Sequence, residues 1–250
     1  YPADGQDPAD FYQDPVASAE SAALAVKDGF TAVKFDPTGQ YTVFDGRMPD
    51  LDALERSETF CRLIRDAIGT KADMLFGTHG QFTAAGAIRL AKKLEPYDPL
   101  WFEEPTPPDM PEEMAKVAAG TSVPIATGER LCSKFEFARV LQSGAAAILQ
   151  PNLGRGGGIL EAKKIAAMAE THYVQIAPHL YCGPVVAAAN IQLATCSPNF
   201  LILESIKKMD GFHADLLTTP LTWEDGYVIP PKTPGLGVEL NEDVARAHLW

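Results

Sequence analysis

The sequence lacks any apolar run long enough to cross a bilayer as a helix, so we expect no membrane-spanning segment in it. Residues 1–15 also lack the basic and apolar stretches of a secretory signal peptide. Cysteine is scarce, and Cys61, Cys132, Cys182 and Cys196 form neither a CxxC pair nor a metal-binding spacing. Scattered thiols of this kind are typical of a reducing compartment, and we expect a cytoplasmic protein.

Positively charged residues are few. The chain has 21 Lys and Arg residues against 33 Asp and Glu residues, and its net charge is −12. This balance argues against nucleic acid and against an anionic membrane as partners. The negative net charge does not exclude an anionic small-molecule substrate, because a bound metal ion can make the electrostatic field at its site positive. The hydrophobic fraction of 46% is that of an ordinary globular protein, and 250 residues suit one α/β barrel or two smaller domains.

Short apolar segments and amphipathic segments alternate along most of the chain. The apolar segments end in polar or turn-forming residues near positions 36, 77, 103, 129, 152, 179 and 204. A repeat of about 25 residues is typical of a strand–helix unit, which predicts a parallel sheet with right-handed crossovers. This number of strands favours a (β/α) barrel over an open, doubly wound sheet, which is the alternative. In a barrel the strand ends converge on one face, where catalytic residues lie.

Helices are predicted between the strands, most of them with an apolar face or with a glycine at the end. They cover 17–28, 51–68, 83–94, 111–119, 134–143, 158–171 and 185–194, and a last strand is predicted over 200–203. The chain is thereby divided into a loop over 1–15 that leads into the fold, a barrel domain over 16–208, and a tail over 209–250. We expect the tail to pack on the barrel or on a further domain.

Two acids follow apolar strands in the same way. The segment LWFEEP over 100–105 ends in Glu103 and Glu104, and VPIAT over 123–127 leads to Glu129. An unpaired buried carboxylate is costly, so acids at the end of a buried strand indicate a function. Carboxylates on neighbouring parallel strands provide the hard oxygen ligands that a divalent cation prefers. Glu103 and Glu129 are therefore candidate metal ligands, and solvent-exposed loop charge is the alternative.

These motifs together resemble the enolase superfamily, in particular the mandelate racemase/muconate lactonizing enzyme subgroup with its acid-sugar dehydratases. The matching motifs are WFEEP over 101–105, GERL over 128–131, PNL over 151–153 with GGG over 156–158, APH over 177–179 and LES over 203–205. The resemblance implies a modified (β/α)7β TIM-like barrel, one Mg²⁺ ion, and removal of a proton next to a substrate carboxylate.

The resemblance covers the barrel from its second strand onward. Nothing in the sequence matches the first barrel strand or the N-terminal capping domain of that family, so both are expected to be missing from this chain. A barrel without one strand exposes two hydrogen-bonding edges. We therefore expect the missing segment, or a second copy in a homo-oligomer, to cover them.

The resemblance assigns two of three metal ligands to Glu103 and Glu129. The family's third acid, at the end of the third strand, corresponds to Gly77 here. Asp36 on the preceding strand is the best substitute, and His79 is the next. Asp36 before Pro37 also fits a turn-forming role, and His79 also fits a substrate contact or a structural loop histidine.

The resemblance also implies the acid–base residues. His179 matches the catalytic histidine, but Asn152 stands where related members have an Asp that raises the basicity of that histidine. His179 is therefore expected to be a weaker base and a better acid for expelling a hydroxyl. Lys34 matches the first lysine of a K-x-K motif whose second lysine is Asp36 here. It is either a base with a lowered pKa or a salt-bridge partner of Asp36 or Glu103.

Substrate contacts are implied for Glu204, His79 and Arg130. Glu204 matches an acid that hydrogen-bonds the substrate carboxylate and must be protonated to donate. Its alternative role is that of a partner for Lys207 or Lys208.

The leading hypothesis is a Mg²⁺-dependent dehydratase, a lyase that acts on an aldonate or aldarate through α-proton abstraction and a metal-stabilised enediolate. The broken K-x-K pair favours dehydration over racemisation, because no matched bases remain on opposite faces. A racemase or cycloisomerase of the same superfamily is the first alternative. A non-catalytic relative that binds acid sugars is the second, favoured by Gly77 and Asn152. A barrel enzyme with a Schiff base at Lys34 is the third, but it leaves Glu103 and Glu129 without a role.

Overall fold

The computed structural model describes residues 13–38 and 46–249. The chain divides into two compact units. The first unit consists of the described residues of Tyr1–Thr127 together with Val140–Ala147, and the second consists of those of Gly128–Arg139 and Ile148–Trp250. Most of the predicted loop over 1–15 lies outside the described residues. The predicted division into a barrel domain over 16–208 and a tail over 209–250 stays a prediction.

The strands of the first unit are parallel and pair in sequence order. They are β1 (Ala32–Phe35), β2 (Asp73–Gly77), β3 (Trp101–Glu103) and β4 (Ile125–Thr127). The register places Lys34 of β1 beside Leu75, and it places Gly77 at the end of β2 beside Glu103 at the end of β3. Parallel pairing between strands separated by helices confirms the predicted βα repeat.

Three of the helices of the first unit begin after a residue whose side chain caps them. They are α1 (Pro15–Lys27), α2 (Leu51–Ile68), α3 (Ala84–Leu94) and α4 (Pro111–Gly120), with a short 3₁₀ turn over Glu95–Tyr97. Asp14, Asp50 and Thr83 accept hydrogen bonds from first-turn amides of α1, α2 and α3. The core of this unit includes Phe76 and Phe102, whose ring centroids lie 4.4 Å apart.

The second unit repeats the pattern on a smaller scale. Its helices and strands are α5 (Lys134–Ser143, as far as Arg139), β5 (Ile148–Leu149), α6 (Gly158–Thr171), β6 (Gln175–Ile176), α7 (Pro184–Thr195), α8 (Phe212–Asp215), β7 (Trp223–Glu224), β8 (Tyr227–Val228) and α9 (Glu242–Ala247). Strands β5 and β6 pair in parallel, and β7 and β8 form an antiparallel hairpin. In the described part of the chain no helix has the length and apolarity needed to cross a membrane.

The predicted strand over 200–203 is replaced by a single parallel bridge between Phe200 and Ile176. Leu201 donates its amide to Ile176 at 2.9 Å, and Ile176 donates its own to Asn199 at 2.9 Å. The side chain of Asn199 also donates to the carbonyls of Ala166 and Val174, at 3.0 and 2.9 Å. Pairing is thus limited to the first residues of the segment, and the rest is held as irregular chain that leads to Glu204.

Candidate active site

The first unit joins Lys34 to Glu103. The Nζ atom of Lys34 lies 2.7 Å from Oε1 of Glu103, and Nε1 of Trp101 donates to Oε2 of the same carboxylate at 3.1 Å. Glu103 is only 2% exposed, so the ion pair and the hydrogen bond replace the hydration that the carboxylate loses on burial. Of the two interpretations of Lys34, the geometry shows a salt bridge to Glu103.

Asp36 and His79 form a second pair in the first unit. Oδ1 of Asp36 accepts from both the amide (3.0 Å) and the hydroxyl (2.8 Å) of Thr38. Oδ2 of Asp36 lies 3.3 Å from Nδ1 of His79. Asp36 therefore has the turn-forming role that Pro37 suggested, and its second oxygen orients the imidazole of His79.

The backbone holds His79 in an unusual conformation. Its φ angle of 49° is left-handed, which is uncommon for a residue other than glycine. The flanking amides of Thr78 and Gly80 donate to the carbonyls of Glu103 (3.1 Å) and Glu104 (2.7 Å). These bonds tie the turn to the end of β3, so the imidazole is presented from a fixed backbone.

Glu103 has the chemistry of a magnesium ligand, but its carboxylate is already engaged by other residues. A buried carboxylate is a suitable hard ligand, yet one of its oxygens holds an ammonium group. Gly77, beside Glu103, contributes no third acid. Among the described residues, no group of three or more His, Cys, Asp or Glu side chains is arranged to hold a metal ion. Asp36 as the third ligand stays a prediction.

His179 is the centre of the second unit's polar cluster. Its Nδ1 lies 2.8 Å from Nδ2 of Asn152. Its Nε2 lies 3.1 Å from Oε2 of Glu129 and 3.9 Å from Oε2 of Glu204. The second unit thus brings together four residues that the sequence nominated for the site.

The backbone of His179 is fixed from two sides. Its amide donates to the carbonyl of Pro151 at 3.2 Å, and its carbonyl accepts from Nδ2 of Asn190 at 3.1 Å. Asn190 lies fully buried in α7, and the sequence analysis missed it. A polar residue within the apolar helix PVVAAANIQLAT was the signal that points to it.

Glu204 is positioned by a backbone contact. Its Oε2 accepts from the amide of Leu180 at 2.7 Å, so the carboxylate lies beside the turn that carries His179. Arg130 follows Glu129 and is half-buried, and its role as a substrate contact stays a prediction.

Gly128 sets the position of Glu129. Its φ angle is 143°, and a Cβ there would lie 2.7 Å from the ring of Phe137 and 2.9 Å from the backbone nitrogen of Gln150. Only glycine permits both that conformation and that approach of the two backbones. The glycine of the GERL motif therefore lets Glu129 reach His179.

The arrangement around His179 defines which nitrogen carries the proton. The amide nitrogen of Asn152 faces Nδ1 and donates to it, so Nδ1 of a neutral imidazole acts as the acceptor. The proton then resides on Nε2, where it donates toward Glu129. A neutral imidazole in this tautomer has no lone pair at Nε2 with which to accept a proton, and a histidine acts as an acid only as imidazolium.

Comparisons with known proteins are consistent with these motifs. The model of the enolase C-terminal domain-like family matches residues 17–244. D-xylonate dehydratase of Haloferax volcanii is 34% identical over 239 residues, which cover 94% of this chain and 58% of that protein. D-galactonate dehydratase of Ralstonia pickettii is 43% identical over 188 residues, which cover 72% of this chain and 48% of that protein. The chain thus spans roughly half of the length of these curated relatives.

A solved structure from Labrenzia alexandrii, provisionally named as a mandelate racemase/muconate lactonizing enzyme, is 69% identical and matches with a TM-score of 0.94. The match covers 99% of this chain and 63% of that chain. This likeness confirms the predicted α/β, TIM-barrel-like fold class and the resemblance inferred from the motifs. On the family match and this likeness, the chain belongs to the enolase C-terminal domain-like family.

Proposed function

We propose that the full-length protein is a dehydratase that removes water from an acid sugar, an aldonate or aldarate, to give a 2-keto-3-deoxy acid. The observation that carries the proposal is the cluster in which His179 contacts Asn152 and Glu129 and lies near Glu204. The activities named for the two relatives, on D-xylonate and D-galactonate, support a polyhydroxy carboxylate as the substrate.

His179 is the acid in this proposal. In its imidazolium form it would pass the Nε2 proton to the hydroxyl on the β-carbon and keep the proton on Nδ1, so that it becomes a neutral imidazole. Asn152 would accept from Nδ1–H through Oδ1 once its amide has turned. The carbon–oxygen bond breaks, and the hydroxyl leaves as water. The electron pair for this step comes from the α-carbon, whose proton is taken by the amine of Lys34. The resulting enol becomes the 2-keto product by proton transfer, so the net loss is one water. His179 is the alternative base, but the hydrogen bond from Asn152 argues against it.

Glu204 is proposed to hold the substrate carboxylate beside His179. Its Oε2 accepts from the Leu180 amide, which positions the carboxyl group, and Glu204 would have to be protonated to donate to the substrate. His79 and Arg130 remain proposed contacts to the substrate, and the Asp36 contact fixes the orientation of His79.

Magnesium is proposed as the cofactor because the family motifs imply it. When bound, it would supply positive charge beside the substrate carboxylate, where negative charge develops as the α-proton leaves. Glu103 is the ligand from the first unit, since it is a buried carboxylate at a strand end. The sequence motif GERL nominates Glu129 for the same role.

A non-catalytic relative that binds acid sugars is the second candidate. The observation that favours it is the ion pair between Lys34 and Glu103, with Gly77 in place of an acid. In such a relative the polar groups would recognise the sugar acid without removing its proton.

The experiment uses the full-length protein with Mg²⁺ and a panel of aldonates and aldarates, with 2-keto acid as the readout. The dehydratase proposal predicts product from at least one acid and its loss in His179→Gln. His172→Gln is the matched control, because His172 is exposed at the end of α6. Binding of an acid sugar without product would support the non-catalytic candidate. Neither binding nor product would overturn both.

A further inference from the structure

We propose that the ammonium group of Lys34 is the resident cation of Glu103, and that a divalent cation binds Glu103 only by displacing it. The contact that motivates this is direct, since Lys34 Nζ lies 2.7 Å from Oε1 of a carboxylate that is almost wholly buried. Two cations cannot share this short approach to one oxygen without strong repulsion. The inference rests on the proposed use of Mg²⁺ and concerns how this chain admits it.

The residue beside Glu103 explains why a lysine can fill this role. Gly77 pairs with Glu103 in the register of β2 and β3. A Cβ at position 77 would have its three nearest neighbours in Glu103, at 3.7 and 3.8 Å, which is ordinary van der Waals contact. Gly77 is also absent from the glycines with positive φ. Neither space nor backbone conformation requires glycine here, so an acid at this position is sterically possible.

Charge then distinguishes this chain from one with an acid at position 77. The Lys34–Glu103 pair by itself has no net charge, so the ammonium group offsets the charge of the buried carboxylate. A second carboxylate beside Glu103 would leave an excess negative charge that a divalent cation, rather than one ammonium, satisfies. The glycine therefore favours lysine over metal at Glu103, and its replacement by Asp should reverse the preference.

The proposed displacement has a consequence for Lys34. An ammonium group engaged with Glu103 is a proton donor and cannot accept the α-proton of a substrate. When a divalent cation takes over Glu103, the same event separates Lys34 from its partner. Metal loading and the separation of Lys34 from Glu103 are then a single step.

The test measures Mg²⁺ affinity by calorimetry on the full-length protein and three variants. Lys34→Gln removes the competing cation, and Gly77→Asp adds a carboxylate beside Glu103. We expect both to bind Mg²⁺ at least about tenfold more tightly than the unmodified protein, because a unit charge a few ångströms away has an effect of this size or more in a partly buried site. Lys93→Gln is the charge-matched control, since it breaks an exposed pair with Glu58.

The outcomes separate this inference from the proposed function. Tighter binding in Lys34→Gln and Gly77→Asp, with Lys93→Gln unchanged, supports the inference, even if the unmodified protein binds too weakly to measure. Affinities of both variants equal to that of a binding unmodified protein would overturn the inference and leave Mg²⁺ in place as the cofactor. No binding by any of the four proteins would overturn the inference and the proposed cofactor together. Lys34→Gln keeps the test valid if Gly77→Asp fails to fold.

Discussion

The amide nitrogen of Asn152 lies 2.8 Å from Nδ1 of His179 and donates a hydrogen bond to it. The family pattern that the motifs resemble has a carboxylate at this place, which would accept from Nδ1 instead. The change from acid to amide therefore moves the proton of a neutral imidazole from Nδ1 to Nε2. Nε2 is the nitrogen that lies 3.1 Å from Glu129, so the proton is on the side of the polar cluster.

Replacement of Asn152 by Asp tests this placement of the proton. A carboxylate would accept from Nδ1–H and stabilise the imidazolium, so His179 would pass its Nε2 proton to the leaving hydroxyl less readily. We expect kcat for dehydration to fall at least about tenfold, within the range that a general acid contributes. The unfolding midpoint is measured beside kcat, because Asn152 is 2% exposed and a carboxylate buried there needs the imidazolium of His179 to offset its charge. An unchanged or higher kcat would contradict the role of His179 as the acid.

Glu204 offers a second test, on substrate binding. In Glu204→Ala the amide of Leu180 loses the partner that now lies at 2.7 Å, and the substrate carboxylate loses its donor. We expect KM for the acid sugar to rise about tenfold, the size of one lost hydrogen bond to a charged group. Glu204→Gln keeps an acceptor for Leu180 and gains a donor, so its KM should lie much closer to the original. Equal KM values in the two variants would exclude this positioning role.

Gly128 gives a prediction for stability. In Gly128→Ala the new Cβ would meet Phe137 at 2.7 Å and the backbone of Gln150 at 2.9 Å, in a backbone conformation with φ of 143°. We expect a loss of at least about 2 kcal/mol in the free energy of unfolding, from strain and overpacking together. Denaturant titration measures it.

Gly183→Ala is the matched control for that experiment. Its φ of −75° suits any residue, and a Cβ there meets nothing within 4 Å. It should be neutral or stabilise by up to about 1 kcal/mol, because it restricts only the unfolded chain. Similar losses in both variants would show that the close approach at Gly128 is not the cause.

The lowered pKa of Glu95, a residue of the first unit, predicts that stability depends on pH. The amide of Ser122, at 2.9 Å, and the hydroxyl of Thr121, at 2.7 Å, donate to Oε1 of Glu95 and lower the pKa of this carboxyl from its usual 4.5. A lowered folded-state pKa stabilises the fold above the unfolded-state pKa, and this stabilisation disappears as the pH falls through the folded-state value.

The variant Glu95→Gln isolates this effect. It should be less stable than the unmodified protein by about 1 kcal/mol at neutral pH, the size of a charge-assisted hydrogen bond at a half-buried site. The difference should shrink toward zero as the pH falls below the usual carboxyl range. Urea unfolding at neutral and at acid pH measures it, and a difference that is independent of pH would refute the charge-assisted bond.

Local sequence predicts the helices well. The bounds predicted for α2, α5 and α6 coincide with those observed, and Asp50 and Gly69 cap the two ends of α2. The strand over 200–203 was wrong, since a parallel strand depends on a partner that lies far away in the sequence. Only Phe200 finds that partner, in Ile176.

The candidate active site shows the same limit of prediction from sequence, because its contacts join residues that are far apart along the chain. The order of residues along the strands predicts that Lys34 and Glu103 lie near strand ends, but it left open whether the lysine is a base or an ion-pair partner. That question depends on the distance between two side chains, which is 2.7 Å. Asn190 was missed for the same reason, because its bond to the carbonyl of His179 joins residues on different elements.

The most direct test of the account is mass spectrometry of an acid sugar after incubation with the full-length protein and Mg²⁺ in deuterated water. Dehydration predicts a product that has lost one water and carries deuterium at the carbon next to the keto group. Loss of that product in His179→Gln would tie it to the cluster that Asn152 and Glu129 form around this residue. Recovery of the substrate with deuterium at its α-carbon, and without loss of water, would contradict the account and indicate a racemase.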